Sequence, residues 1–356
     1  MLKLALSLMK DLKYLSAYSI PIVTLLALYF RGYYSFITPI YAFLLIPVFE
    51  IILPQDTSNI EDSERQEKSK NIFFDFILYL NVPIIFGILY YAFHLVAYAN
   101  METYEIIGIA FSAGIALGSN GINVAHELGH RQNKLAQFTS KLLLLPSLYM
   151  HFYIEHNFGH HLHAATPEDP ATAKYNQSIY SFWITSVRGQ YRSAWKIQRH
   201  LLNKSSLSFL AIKNDMLWYI LFQIGYLLTV FLLFGMKTLA VALAIAVISF
   251  LLLETINYIE HYGLMRKKLP SGRYERVKEI HSWNSNHIIG RIILYELTRH
   301  SDHHYKSSKK YQLLDYHDIS PQMPYGYPTS LVLSLFPPLW FKIMNKRIPQ
   351  EMKGHF

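Results

Sequence analysis

The chain has no cysteine among its 356 residues. That excludes disulfides, thiolate-bound iron–sulfur clusters and an iron site held by four cysteines, so redox chemistry would need electrons from another polypeptide or a diffusible donor. Charge is scarce as well: 16% of residues are Asp, Glu, Lys or Arg, against 52% hydrophobic and 15% aromatic. Soluble domains carry about a quarter charged residues. Apolar runs of the roughly 20 residues that cross a bilayer complete the reading of an integral membrane protein. The start of the chain lacks the uninterrupted apolar core and cleavage site of a secretory signal, since Lys3, Lys10, Asp11 and Lys13 break it up. The first long run is therefore expected to remain as an uncleaved anchor. Internal repeats and low-complexity tracts are also missing.

Six runs qualify as spans, at about 15–30, 34–53, 72–97, 104–122, 216–234 and 239–259. Arg31-Gly32-Tyr33 leaves room only for a tight hairpin between the first two. The stretch from Pro54 to Asn71 is polar, has no apolar period and reads as a solvent loop. With this topology, every Lys and Arg except Arg31 and Lys237 falls on one side of the bilayer. The positive-inside rule makes that side the cytoplasm and puts both termini there. The net charge of +9 is then a topology signal, and nucleic-acid binding is not expected. Gly114 and Gly118 form a GxxxG that lets helices approach closely. Ser330 to Met344, broken by Pro337-Pro338, reads as an interfacial or re-entrant piece.

The chemistry-bearing residues are histidines, 17 in all. His126-Glu-Leu-Gly-His130, Glu155-His-Asn-Phe-Gly-His-His161 and His300-Ser-Asp-His-His304 each space imidazoles at i, i+3 or i+4, which on an α-helix puts them on one face. His261 lies in Asn257-Tyr-Ile-Glu-His-Tyr-Gly263. An octahedral ion takes six ligands at most, so nine imidazoles from four segments suit two ions. All four segments fall just past the fourth or sixth span, on the cytoplasmic side. Imidazole accepts zinc, iron, copper or nickel, and the spacing alone leaves the metal open. Glu127, Glu155, Glu260 and Asp302 each adjoin a cluster histidine and are expected to orient ring N–H groups rather than to bind metal. His94, His151, His163, His200, His317 and His355 have no such company and are taken as ordinary.

These motifs, in this order, resemble the four signatures of the integral-membrane di-iron alkane 1-monooxygenases, within the desaturase and hydroxylase superfamily. The motif around His261 is the element that sets this family apart from acyl desaturases. Arg131, Phe158 and Thr298 depart from the family's usual lysine, arginine and glutamine. The resemblance implies an all-α membrane protein with six transmembrane helices and a cytoplasmic helical His-rich di-iron region, one domain over 1–356 with catalytic parts at about 123–213 and 260–356. It implies two Fe ions held by His126, His130, His156, His160, His161, His261, His300, His303 and His304, with O2 as co-substrate and no bound flavin, haem or iron–sulfur cluster. The implied reaction is terminal hydroxylation of n-alkanes to 1-alcohols in a bacterial inner membrane, with electrons from rubredoxin and its NAD(P)H-dependent reductase. Rubredoxins are acidic, so Arg131, Lys134, Arg266, Lys267, Lys268, Lys306, Lys309 and Lys310 are the expected dock. The similar family stretch His281-Ser-Trp-Asn-Ser-Asn-His287 adds His281, Asn284 and His287 to the expected surroundings of the metals.

An aromatic-methyl hydroxylase of the xylene monooxygenase type shares such clusters and is the nearest alternative. A metal transporter is the alternative from another class, but transporters place ionisable ligands inside their spans. Here His94 and Glu254 are the main ones, each near a span end.

Overall fold

The computed structural model describes residues 11–353, so Lys3, Lys10 and His355 lie outside the described residues. Among those described, no strand forms; three isolated backbone bridges are the only extended pairings. Five helices are long and apolar enough to cross a membrane: α1 Leu12–Phe30, α2 Gly32–Ile52, α4 Ile72–Tyr98, α5 Thr103–Gly129 and α9 Asp215–His261. The count is thus five where six runs were expected, because the last two belong to one element. Gly235 interrupts it with φ 81° and ψ 179°, a conformation open to a residue without Cβ. A straight helix of 47 residues would be about 70 Å long. Yet both ends of α9 meet the histidine face: Asp215 Oδ2 accepts from Lys141 Nζ at 2.6 Å, in the helix that follows His130, and His261 closes the other end. The element therefore doubles back at Gly235.

The tight connection of α1 to α2 is present, with Arg31 and Gly32 both at positive φ and the Gly32 N–H donating to Glu105 at 2.6 Å. The expected solvent loop after α2 contains a helix instead, α3 Asp62–Lys70, which buries no residue. It has no apolar stripe to detect. Asp62 and Glu64 in its first turn and Lys68 and Lys70 in its last complement the helix dipole. The GxxxG of α5 seats α9: a Cβ on Gly114 would lie 2.7 Å from Ile248, and one on Gly118 3.2 Å from Leu252.

Outside the bundle, α6 (Lys134–Leu144), a helical stretch α7 (152–163) and α8 (Ile179–Lys204) follow α5. Helix α8 buries Phe182, Ser186, Gln190, Ala194, Gln198 and Leu202 at every fourth position. It is clamped to α9 by Glu254, whose carboxylate accepts from Tyr149 (2.9 Å), Ser186 (2.6 Å) and Gln190 (2.8 Å). Short helices α10 (Ile288–Ile293), α11 (His300–Tyr305), α12 (Tyr327–Ser334) and α13 (Pro337–Met344) complete the histidine end. The expected interfacial piece at 330–344 is thus two short helices, with Leu335, Phe336 and Leu339 exposed around the joint.

Candidate metal centre

All nine histidines of the four motifs come together, in two groups. One holds His126, His130, His156, His161 and His303; the other holds His160, His261, His300 and His304. Within each group the ligand nitrogens lie within 4.8 Å of one another. This sorting keeps His126 and His130 together as expected but overturns the expectation that the second and third motifs each present their imidazoles on one face. His156–His160 is a π-helical turn, and the His161 N–H reaches back five residues to the His156 carbonyl. Residues five apart then share a face, so His156 and His161 meet at 3.1 Å between Nε2 atoms while His160 turns to the other group. Helix α11 divides likewise: His300 and His304, four apart, join the second group, and His303 joins the first. His126 sits in the last turn of α5 with His130 just past it, and His261 is the last residue of α9.

The Nε2 atoms point inward. In the first group His156 Nε2 is 3.1 Å from His130 Nε2. In the second, Nε2 separations are 3.2 Å for His160 to His304, 2.9 Å for His304 to His300 and 3.2 Å for His300 to His261. Hydrogen bonds alone satisfy such a set poorly, since each pair needs one donor and one acceptor. His126 Nε2 and His303 Nε2 have no hydrogen-bond partner among the described residues. A metal ion fits it: at a metal–nitrogen distance of about 2.1 Å, neighbouring ligands around an octahedral ion are about 3.0 Å apart. The donor set is all nitrogen, with no carboxylate oxygen in either group. Burial holds His130, His156, His161, His300, His303 and His304 well below the usual histidine range, and the neighbouring imidazoles add to the effect. The rings are therefore neutral at physiological pH and keep a lone pair for a metal.

Of the carboxylates beside the clusters, Glu260 alone approaches a cluster imidazole, with Oε1 3.2 Å from His300 Nδ1. Glu127 instead takes Arg131 at 2.6 Å and the Tyr311 N–H at 3.2 Å. Asp302 takes Lys309 (2.7 Å), His317 (2.8 Å) and the Asp315 N–H (2.8 Å), which gives His317 a role that its isolation in sequence concealed. Glu155 is buried, with the Ser193 side chain beside its carboxyl. Asn284 grips the first turn of α11, donating to Ser301 Oγ (2.5 Å) and accepting from the Ser301 N–H (2.9 Å). His281 accepts from the Lys278 N–H at 2.9 Å, and His287 contacts Ser285 and Gln55 rather than a cluster. Sequence reasoning missed Asp169, whose Oδ2 lies 2.9 Å from His160 Nδ1. It adjoins no histidine, and its signal is only that of a turn residue between Glu168 and Pro170, where it accepts from the Ala171 N–H at 2.9 Å.

The family model described as "Fatty acid desaturase" matches residues 102–332. Alkane 1-monooxygenase 2 of Pseudomonas aeruginosa is 37% identical over 314 residues, which cover 88% of this chain and 83% of that protein. The chain belongs to the alkane 1-monooxygenase family. A relative from Acinetobacter baylyi, alkane 1-monooxygenase, is 36% identical over 88% of this chain and 77% of its own. The xylene/toluene monooxygenase hydroxylase component of Pseudomonas putida is 29% identical over 92% of this chain and 87% of its own.

In this alkane 1-monooxygenase family member an apolar cavity opens on His126, His156 and His300 and runs among the spans, lined by Ile20, Ala42, Phe43, Ile115 and Leu252. The cations expected to form a dock divide. Arg131 and Arg266 are buried, the first on Glu127 and Asp75, the second on the carbonyls of Leu162, Ala164 and Glu275. Lys309 bridges Asp302 and Asp315, and Lys310 pairs with Asp75. Lys134, Lys267, Lys268 and Lys306 are exposed.

Proposed function

We propose that the chain hydroxylates the terminal methyl group of medium- to long-chain n-alkanes, forming 1-alcohols and water from O2, two electrons and two protons. The observation that carries this reading is two all-histidine groups at the wall of an apolar cavity between membrane spans. His126, His130, His156, His161 and His303 would hold one iron and His160, His261, His300 and His304 the other. Two irons bound there would supply the activation of O2 that an inert C–H bond requires. The residues do the rest. An alkane has no charge or hydrogen bond to offer, so the cavity holds it by apolar burial, at about 0.8 kcal/mol per CH2. Asp169 fixes the ring orientation of His160, and Glu260 Oε1 stands 3.2 Å from His300 Nδ1.

The electron donor in this reading is rubredoxin, supplied by its NAD(P)H-dependent reductase and docking on Lys134, Lys267, Lys268 and Lys306. The chain is a single domain of a bacterial inner membrane that crosses six times, with the doubled-back α9 giving the fifth and sixth crossings and both termini in the cytoplasm. The test combines metal analysis of the purified protein with gas chromatography and mass spectrometry of products from an alkane series, given rubredoxin, reductase and NADH. Two irons per chain and 1-alcohols are expected. Zinc alone with no oxidised product, in folded and iron-supplied protein, would sink the proposal. Faster conversion of xylene than of any alkane would move it to aromatic methyl groups.

A further inference from the structure

Between Asp169 and Asp215 the sequence has no acidic residue, yet it carries Lys174, Arg188, Arg192, Lys196, Arg199, Lys204 and Lys213. All seven are exposed, and among the described residues none makes an ion pair. Topology explains an excess of cations on one side of a membrane but not the loss of every acid, because the other segments on that side mix the two signs. On α8, Arg188, Arg192, Lys196 and Arg199 fall within about 80° of arc at 100° per residue. That stripe faces away from the buried positions Ser186, Gln190 and Ala194.

Both ends of this segment are tied to the boundary of the bundle. Near its start Trp183 Nε1 donates to Thr255 Oγ1 (3.0 Å) in the last turns of α9; beyond its end Trp218 Nε1, in the first turn of α9, donates to the Ile212 carbonyl (2.9 Å). The connection from α8 to α9 carries bare apolar side chains, with Leu210 79% and Ile212 82% exposed. Arg199 lies over the Phe209 ring at 5.9 Å, which links the cationic stripe to that apolar edge. Cations in a row beside exposed apolar residues at the start of a span are the chemistry of an interfacial helix on a negatively charged lipid surface.

We infer that α8 and the following connection form a binding surface for anionic phospholipid headgroups, with the Arg188–Arg199 stripe holding the phosphates and Leu210 and Ile212 seated among the acyl chains. An acidic soluble protein would match the charge but leave Leu210 and Ile212 uncovered. The inference rests on the membrane assignment and not on the hydroxylase chemistry, so either can fail without the other.

The test uses the full-length protein in nanodiscs of phosphatidylcholine containing spin-labelled phosphatidylglycerol or spin-labelled phosphatidylcholine, with the motionally restricted fraction read by electron paramagnetic resonance. A preference of roughly threefold for phosphatidylglycerol is expected, weakening with added salt. The quadruple variant R188Q/R192Q/K196Q/R199Q should lose the preference, and R188K/R192K/R199K should retain it. A quadruple variant that extracts as an aggregate is replaced by the two double variants, each expected to lose part of the preference. Equal association of the two lipids with the wild type, or a preference unchanged by removing the four charges, would overturn the inference. So would loss of binding to an acidic electron-transfer protein in the quadruple variant with lipid preference intact, which would make the stripe a protein dock.

Discussion

The two histidine groups offer the same ligand chemistry and differ in what stands behind the rings. In the four-histidine group every ligand is buried, and two of them are backed by carboxylates, His160 by Asp169 and His300 by Glu260. In the five-histidine group His130 and His161 are only partly buried, and among the described residues no carboxylate touches any of its rings. Asp169 is itself fixed, by Thr172 Oγ1 at 2.6 Å and the Ala171 N–H. Burial alone would raise its carboxyl; the His160 ring and the hydrogen bonds outweigh that and hold it below the usual range. A carboxylate on Nδ1 fixes the tautomer, aims Nε2 at the metal and strengthens the ligand. One group thus has fewer ligands that are more firmly held, and the other has more ligands held less firmly. Buried divalent charge needs compensation, and Asp169, held below the usual carboxyl range, supplies it behind the smaller group.

The comparison breaks first at a ligand. His304→Ala should halve the metal content of the purified protein and abolish turnover, as should His161→Ala from the other group; a variant keeping both ions would remove that histidine from the set. Next in size, Asp169→Asn should weaken metal binding in the four-histidine group by about 10- to 100-fold, with Glu260→Gln acting in the same direction. Glu127→Gln, next to a cluster histidine in sequence, should leave metal affinity unchanged and lower thermal stability by about 1–3 kcal/mol, because buried Arg131 loses the nearer of its two carboxylate partners. Equal losses of metal from D169N and E127Q would erase the distinction between a brace and a neighbour. A chelator titration sharpens it further. Metal should leave in two phases, with the fast phase from the five-histidine group, so D169N should accelerate only the slow phase.

Much of this was legible in the sequence, for identifiable reasons. The spans declare themselves because a lipid-facing helix is apolar over its full length, and Gly235 falls between the two runs that α9 joins. The nine histidines that come together were legible because four clusters of imidazoles at helical spacing are rare by chance. Their division into five and four was not: it depends on the π-helical turn at His156–His160, which moves His160 and His161 to opposite groups. Asp169 was hidden because tertiary structure, not spacing, brings it to His160. Helix α3 was hidden because it buries nothing and so leaves no apolar period. The basic residues misled where they lay closest to the histidines: Arg131 and Arg266 are inside, and the exposed, unpaired row lies on α8.

The smallest effect separates a neutral imidazole with a proposed function from one without. His151 is buried like the cluster histidines, stands against the Tyr149 and Tyr191 rings, and its Nε2 has no partner among the described residues. Burial pushes it down to about 3. The unfolded chain takes up a proton near pH 6.5 that the folded chain refuses. Stability is therefore unaffected above that pH and falls as the solution is acidified, by about 2 kcal/mol at pH 5, levelling off only below about pH 3. Ligand histidines add their own loss, because metal keeps them unprotonated in the folded chain while the unfolded chain protonates them, so the contribution of His151 is read only as the difference between wild type and a His151 variant. Thermal unfolding of metal-loaded wild type and His151→Asn between pH 7.5 and 5 should show a shallower fall for the variant. Parallel curves would mean that His151 is solvated or paired on folding, and that the acid sensitivity belongs to the metal ligands after all.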